Sequence, residues 1–517
     1  MTAEVDEWTC VLAALSLATD LANGHHDDKT LRACVLAVGL AQALDFDRAR
    51  QRDVFHATLL RYIGCSSFAH EEVALFGDDL RARQAFAVVD YGDVADRFRA
   101  GAAAIAPEAG PLRRWLVGSA AAIGPEAPRQ SLYASQCEVG RRFGDRLGLG
   151  EGAIAALAQI HERWDGRGGP ARLRETQLEP VVTVLQVAHF AESMVHRGGV
   201  EAASVAVAQR RGEALAPAVC DVFIAHAREL LAPLEREGAW AAFVAIGSRF
   251  PVVQSSHRVD DVIAAFADFT DLYSVYTLGH SSQVAEVATR AAAALGIAAA
   301  DIEILRRAAL LHDLGRVALP CALWEKSTPL SAAERERIHL HAYWGQRLLA
   351  RAPSLASEAA LAEVTHERCD GAGYPRRLEG AALGVAARVL AAADVWCALR
   401  SARPQRPAFD DTAAIAMLRG EVRSGQLDAR VVDAILGVGP SSARARPAGL
   451  TEREIEVLQL VARGDTNKEV AQRLGISART VGHHLAHAYE KIGVSTRAAA
   501  ALFAIEHGLV TIAAHVP

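Results

Sequence analysis

The sequence has no pair of cysteines at C-x-x-C spacing. Its eight cysteines lie singly at 10, 34, 65, 137, 220, 321, 369 and 397. That pattern argues against a zinc knuckle or a disulfide framework and for free thiols in a reducing compartment. Aromatic residues are sparse, at 6%. Alanine and leucine fill the apolar positions, which favours helix over sheet. No apolar run reaches about 18 residues without a charge, so no membrane span is expected. The opening Met-Thr-Ala-Glu-Val-Asp-Glu is acidic and does not read as a signal peptide. The expectation is therefore a cytoplasmic protein with no membrane partner. The net charge of −6 gives no whole-chain nucleic-acid signature, so any basic patch must be local.

What is present begins with length. A chain of 517 residues is too long for one core and suggests about three domains. Two segments align without a gap at an offset of 205 residues: His161-Glu-Arg-Trp-Asp-Gly-Arg-Gly-Gly-Pro170 and His366-Glu-Arg-Cys-Asp-Gly-Ala-Gly-Tyr-Pro375. The same offset places Gln136 on His341 and His189 on Asp394. At an offset of 251, Leu59-Leu60-Arg61-Tyr62-Ile63-Gly64 parallels Leu310-Leu311-His312-Asp313-Leu314-Gly315. Asn23-Gly24-His25 resembles Leu278-Gly279-His280. The halves read as a tandem duplication of a helical bundle. Arg61, Tyr62 and Gln136 stand where the second copy has His312, Asp313 and His341. The first copy therefore reads as the fold without the chemistry, since arginine cannot ligate a cation.

The second copy carries a metal-ligand pattern. An imidazole next to a carboxylate, His312-Asp313, ends an apolar helix that Asp301 is expected to cap. Ser331-Ala-Ala-Glu334 is a capping box that opens the helix bearing His341. Paired divalent cations serve phosphodiester hydrolysis by orienting a nucleophile and neutralising phosphoryl oxygens. They need mixed imidazole and carboxylate ligands, one carboxylate being able to bridge. Asp313 is the candidate bridge. His280, His312 and Asp394 are candidates for one metal, and His341 with His366 for the other. A lone histidine such as His339 reads instead as a core group.

Residues 255–438 resemble an HD-GYP domain of the HD phosphohydrolases. The motifs are Tyr276-Thr-Leu-Gly-His-Ser281, His312-Asp313-Leu-Gly315 with Pro320, His341-Ala-Tyr-Trp-Gly345, His366 to Pro375, and Ala393-Asp394. The resemblance implies hydrolysis of cyclic di-GMP with two divalent ions, iron or manganese first and magnesium second. It implies a catalytic role for Asp313 and Arg316, and substrate contacts from Arg316, Gly373, Tyr374 and Pro375. The chain departs from the family at Thr365, usually a second histidine, and at Arg316, usually lysine. It departs again at Gln405, usually tyrosine, at Cys397, usually aspartate, and at Tyr276, which is no acid.

The last segment, 450–517, reads as a helix-turn-helix. Thr451-Glu-Arg-Glu454 and Thr466-Asn-Lys-Glu469 are capping boxes, and Ser477 caps the next helix. The segment resembles the LuxR-type regulator domain through Leu450-Thr-Glu-Arg-Glu454, Asn467-Lys-Glu-Val-Ala471, Thr480-Val481 and Lys491-Ile-Gly-Val-Ser-Thr-Arg497. That resemblance implies double-stranded DNA as a partner. The expected contacts are Lys468, Arg479, Thr480, Val481, His483, His484, Lys491 and Arg497, with phosphate contacts setting the salt dependence. Seven Lys/Arg face seven Asp/Glu here, so binding is expected to need a homodimer on two half-sites. The final helix is the candidate dimer face.

The architecture expected is all-α: a degenerate HD-type bundle at 1–245, an HD-GYP-like bundle at 255–438, a linker at 439–449 and the DNA-binding module at 450–517. The leading expectation is a DNA-binding regulator whose HD-GYP-like domain hydrolyses a cyclic dinucleotide or another phosphoester. The alternative keeps the fold and drops the chemistry, leaving a nucleotide- or effector-sensing transcription factor.

Overall fold

The computed structural model describes residues 7–25, 28–106, 109–250, 256–438 and 447–510. Most of the expected linker lies outside them. Helices are the regular elements, and no strand occurs among the described residues. The chain divides into two compact units, Met1–Asp261 and Val262–Pro517.

In the first unit, α1 (Glu7–Ala22), α2 (Lys29–Ala43), α3 (Arg48–Leu59), α4 (Ala127–Arg146) and α5 (Pro180–Arg210) form the part that recurs. Buried Asp20, near the end of α1, accepts hydrogen bonds from the backbone N–H of Thr30 (2.9 Å) and from its hydroxyl (2.5 Å). This carboxylate satisfies donors that the start of α2 leaves open. It therefore fixes the residue before it, Lys29.

The second unit repeats the device. Asp271 accepts from Ser281 N–H (2.9 Å) and hydroxyl (2.8 Å) at the start of α6 (His280–Ala294). The residue fixed there is His280. Next, α7 (Ala299–Leu311) buries Leu305, Ala308, Ala309 and Leu311 and delivers His312 at its end. Its N-cap is Ala298, not Asp301, which lies within the first turn. The Ser331–Glu334 capping box opens α8 (Ala332–Leu349), and Ala-rich α9 (Val385–Arg400) runs through the core.

One glycine sets the distance between the His-Asp turn and α8. A Cβ at Gly315 would lie 1.9 Å from the carbonyl oxygen of His341, and one at Gly64 would lie 2.1 Å from that of Gln136. Only glycine permits such an approach. Both copies use it at the same place.

The end of the second unit is the helix-turn-helix: α10 (Glu452–Ala462), α11 (Asn467–Leu474), α12 (Ala478–Ile492) and α13 (Arg497–Glu506). Both threonine capping boxes form, and Gly475 closes α11 in the left-handed conformation. Val457, Val461, Val470, Ala471 and Val481 make the core. Every residue from Ala498 to Ile505 is buried. Packing within the unit thus covers α13, and the apolar face expected to dimerise is not free.

Candidate metal centre and nucleic-acid interface

His280 opens α6, His312 and Asp313 follow α7, His341 and Asp394 lie within α8 and α9, and His366 stands on a turn, so that six side chains meet in the second unit. His280, His312 and Asp394 form one set and Asp313, His341 and His366 the other, with candidate ligand atoms within 4.8 Å of one another in each. Asp313 presents one oxygen to each set. Oδ2 lies 3.6 Å from His312 Nε2 and 3.9 Å from His280 Nε2. Oδ1 lies 3.7 Å from His341 Nε2 and 3.9 Å from His366 Nε2. Asp394 meets His280 Nε2 at 3.1 Å and His366 Nδ1 at 3.5 Å.

Two of the imidazoles are oriented from behind. His312 Nδ1 bonds the carbonyl of Ala309 (2.7 Å), and His341 Nδ1 bonds that of Ile338 (2.6 Å). A ring nitrogen that donates outward leaves the inner one as a lone pair. His312 Nε2 is buried with no hydrogen-bond partner, and the Nε2 atoms of His341 and His366 face each other at 2.8 Å. Inward lone pairs with no proton donor between them suit a cation.

Charge agrees with that geometry. Burial opposes ionisation of Asp313, but Arg316 and the nearby His312, His280 and His341 hold its carboxyl well below the usual range. Asp394 is also held low, burial being outweighed by hydrogen bonds from His280 and His366. Burial pushes His341 down to about 3, helped by His366, and lowers His280 as well. Carboxylates and neutral imidazoles are the protonation states that metal binding requires.

Arg316 is engaged with the bridge: its Nη1 lies 2.7 Å from Asp313 Oδ2, and its guanidinium lies 4.0 Å from the Trp324 ring centroid. Tyr374 is sandwiched between His366 (5.1 Å) and His339 (3.9 Å). His339 is thus a half-exposed stacking partner, not a core group. Gly373 passes so near the Glu367–Arg368 backbone that a Cβ would lie 2.4 Å from it. Pro375 follows Tyr374 through a cis bond. Thr365 is buried and donates to the carbonyl of Ala362 (2.8 Å), so it offers the site no ligand. Trp324 and Arg403, which no sequence motif marks, also border the centre. Arg403 is half-buried near Asp394 and Asp313, and desolvation and Arg316 push it down to about 10.

In the DNA-binding module, Lys468, Arg479, Thr480 and His483 are exposed and His484 is half-buried. Three expected contacts need correction. Val481 is fully buried in the module core and cannot reach DNA. Lys491 is spent on Glu454 (2.7 Å) and the carbonyl of Gly449 (3.2 Å). Arg497 is tied to the carbonyls of Val461 and Asp465. Among the described residues, no helix is long and apolar enough to cross a membrane.

Family comparison matches residues 265–431 to the HD domain and residues 448–504 to the bacterial regulatory proteins of the luxR family. The chain carries an HD domain followed by a luxR-family domain. Among curated relatives, the 3'3'-cGAMP-specific phosphodiesterase 3 of Vibrio cholerae is 26% identical over 421 residues, spanning 79% of this chain and 89% of that protein. A cyclic di-GMP phosphodiesterase response regulator of Xanthomonas campestris is 37% identical over 156 residues, spanning 30% of this chain and 41% of that protein. The crystal structure of a cyclic GMP-AMP-specific phosphodiesterase of V. cholerae superposes with a TM-score of 0.56 at 21% identity, covering 84% of this chain and 98% of that one. That likeness is one of fold.

The fold also corrects one detail of the internal repeat. Since Asp20 holds Thr30 as Asp271 holds Ser281, the counterpart of His280 is Lys29, not His25.

Proposed function

We propose that the HD domain is a metal-dependent phosphodiesterase of cyclic dinucleotides and that its ligand state governs DNA binding by the luxR-family module. The observation that carries this is the placement of Asp313, one oxygen toward each histidine set. His280, His312 and Asp394 would hold one divalent ion, and His341 and His366 the other, with Asp313 between them. Iron or manganese suits such an imidazole-carboxylate set, with magnesium a poorer match. When bound, these ions would neutralise charge on the phosphoryl oxygens and prepare water as nucleophile.

The protein's own residues do the rest. Arg316 supplies a permanent positive charge beside the bridge, where a phosphate would gain it; a guanidinium holds its proton and does not act as a general acid near neutral pH. Tyr374, pinned between two imidazoles by Gly373 and Pro375, walls the substrate side. Relatives named for 3'3'-cGAMP and for cyclic di-GMP support a cyclic dinucleotide as substrate class. Lys468, Arg479, Thr480, His483 and His484 would meet duplex DNA. With balanced charge in the module, a homodimer on two half-sites would supply the affinity.

A second reading has its own support. Thr365 gives the site no donor, and a site one ligand short fits a sensor that binds a nucleotide without cleaving it. One experiment separates the two. Manganese-loaded protein is incubated with 3'3'-cGAMP and with cyclic di-GMP, and products are resolved by chromatography. A linear dinucleotide or mononucleotide supports the enzyme; intact substrate that is nevertheless bound supports the sensor.

A further inference from the structure

The first unit holds a cavity of about 230 Å³ at the place corresponding to the metal centre. Arg61, Tyr62, Tyr91, Tyr133, His161 and His189 are among the residues that line it. Its chemistry is that of a cation already built in. Lys29, buried in the position of His280, donates to the Tyr62 hydroxyl (2.9 Å) and to His189 Nδ1 (3.2 Å). His189 can accept there because its Nε2 faces the carbonyl of Thr58 at 3.3 Å and carries the proton. In front of this ammonium stands Arg61, in the position of His312.

Arg61 is underused. Its guanidinium lies 5.4 Å from the Tyr62 ring centroid, its Nη1 reaches the carbonyl of Ile160 at 3.4 Å, and its Nε is buried with no hydrogen-bond partner. Other charges around the cavity are already matched. Glu72 is paired with Arg83 (2.7 Å), Arg163 with Asp90 (2.7 Å), and Glu162 accepts from the backbone of Ala171 (2.7 Å) and Leu173 (3.0 Å). No carboxylate is paired with Arg61 among the described residues. A buried, unsatisfied guanidinium donor in a cavity calls for an anionic acceptor, and a planar fork suits phosphate. One side is aromatic: Tyr133 stacks on His161 at 4.3 Å, and Tyr91 meets Tyr133 edge-on at 6.0 Å. Tyr91 also lies parallel to Phe86 at 6.3 Å, so the wall offers a flat ring edge and apolar contacts.

We propose that this cavity binds a phosphate monoester of nucleotide type, with the phosphate on Arg61, the charge of Lys29 behind it, and the base against Tyr91 and Tyr133. The unit would then be an effector site that has exchanged metal for fixed cations. It takes a ligand of the chemistry that cyclic-dinucleotide cleavage releases, but its existence does not depend on that cleavage.

The test is calorimetric titration of the full chain with GMP, guanosine and inorganic phosphate, in an Asp313→Ala background that disables the other unit's centre. GMP is expected to bind at one site per chain. Guanosine and phosphate should each bind at least about tenfold more weakly, since each lacks half of the contacts. Arg61→Met should weaken GMP by about tenfold or more, and Arg61→Lys should restore part of it. Thermal melting checks that both variants fold. GMP affinity unchanged by Arg61→Met would overturn the site. Equal binding of guanosine, or of phosphate alone, would overturn the ligand class.

Discussion

Gln283 donates from its side-chain amide to the backbone carbonyl of Val510 across 3.0 Å. Gln283 lies one turn beyond His280 on α6, and Val510 closes the last segment described after α13. One helix thus carries a candidate metal ligand and a contact with the DNA-binding module. A change at the centre that shifts the start of α6 would reach the module through this bond. Gln283→Ala should leave metal content unchanged. The ratio of DNA affinities with and without cyclic dinucleotide should shrink by about fivefold, the worth of one net hydrogen bond. Gel shift on a duplex selected from random sequence measures it; an unchanged ratio places the coupling elsewhere.

Arg316 offers a sharper chemical test. Replacing it with alanine removes the strongest charge holding Asp313 ionised. Turnover should fall about 100-fold, the scale for losing one preorganised charge stabiliser. Arg316→Lys, which keeps the charge, should retain most activity. Steady-state rates on 3'3'-cGAMP decide it, and a fall as large for lysine as for alanine would show that charge is not what matters.

In the module, Arg479 and Lys491 should behave differently although both are basic and exposed. Arg479→Ala should weaken DNA binding and reduce the salt slope by about one, as expected for a lost phosphate contact. Lys491→Ala should instead lower the melting temperature, because it leaves buried Glu454 without its cation. Fluorescence anisotropy across a salt series, with melting in parallel, separates the two effects.

Glu454 also gives a signed pH prediction. Burial opposes its charge, but the bonds from Lys491 and Thr451 outweigh it and lower its carboxyl to about 2, from an ordinary value of 4.5. A carboxylate whose folded value is depressed stabilises the fold fully above its unfolded value and loses that contribution as pH falls toward the folded one. The melting difference between wild type and Lys491→Met should therefore be constant above about pH 5 and narrow between pH 4.5 and 2. A gap that widens on acidification would contradict this.

Much of the centre was legible because its ligands sit inside local motifs. His312-Asp313 follows an apolar helix, His341 follows a capping box, and His366 opens a glycine-rich turn. The helix-turn-helix was legible for the same reason. Lys29 was not. A three-residue likeness pointed to His25, whereas the position is set by the Asp20–Thr30 hydrogen bonds, which no short pattern displays. Trp324 ends a four-residue helix and Arg403 sits at a tight turn, and only tertiary packing brings them to Arg316 and Asp394. Lys491 and Arg497 looked like phosphate contacts because sequence shows their charge and not the carbonyls and carboxylate they already serve.

The most direct measurement pairs metal content with cleavage. The chain is purified without chelator, metal per chain is counted by mass spectrometry, and cleavage of 3'3'-cGAMP and cyclic di-GMP is followed for wild type and Asp313→Ala. Two metals per wild-type chain are predicted, together with a linear product. In Asp313→Ala, at least one metal and all cleavage should be lost while the fold is kept. A wild-type chain that cleaves neither substrate when metal-loaded, or an Asp313→Ala variant that retains both metals and full cleavage, would contradict the account.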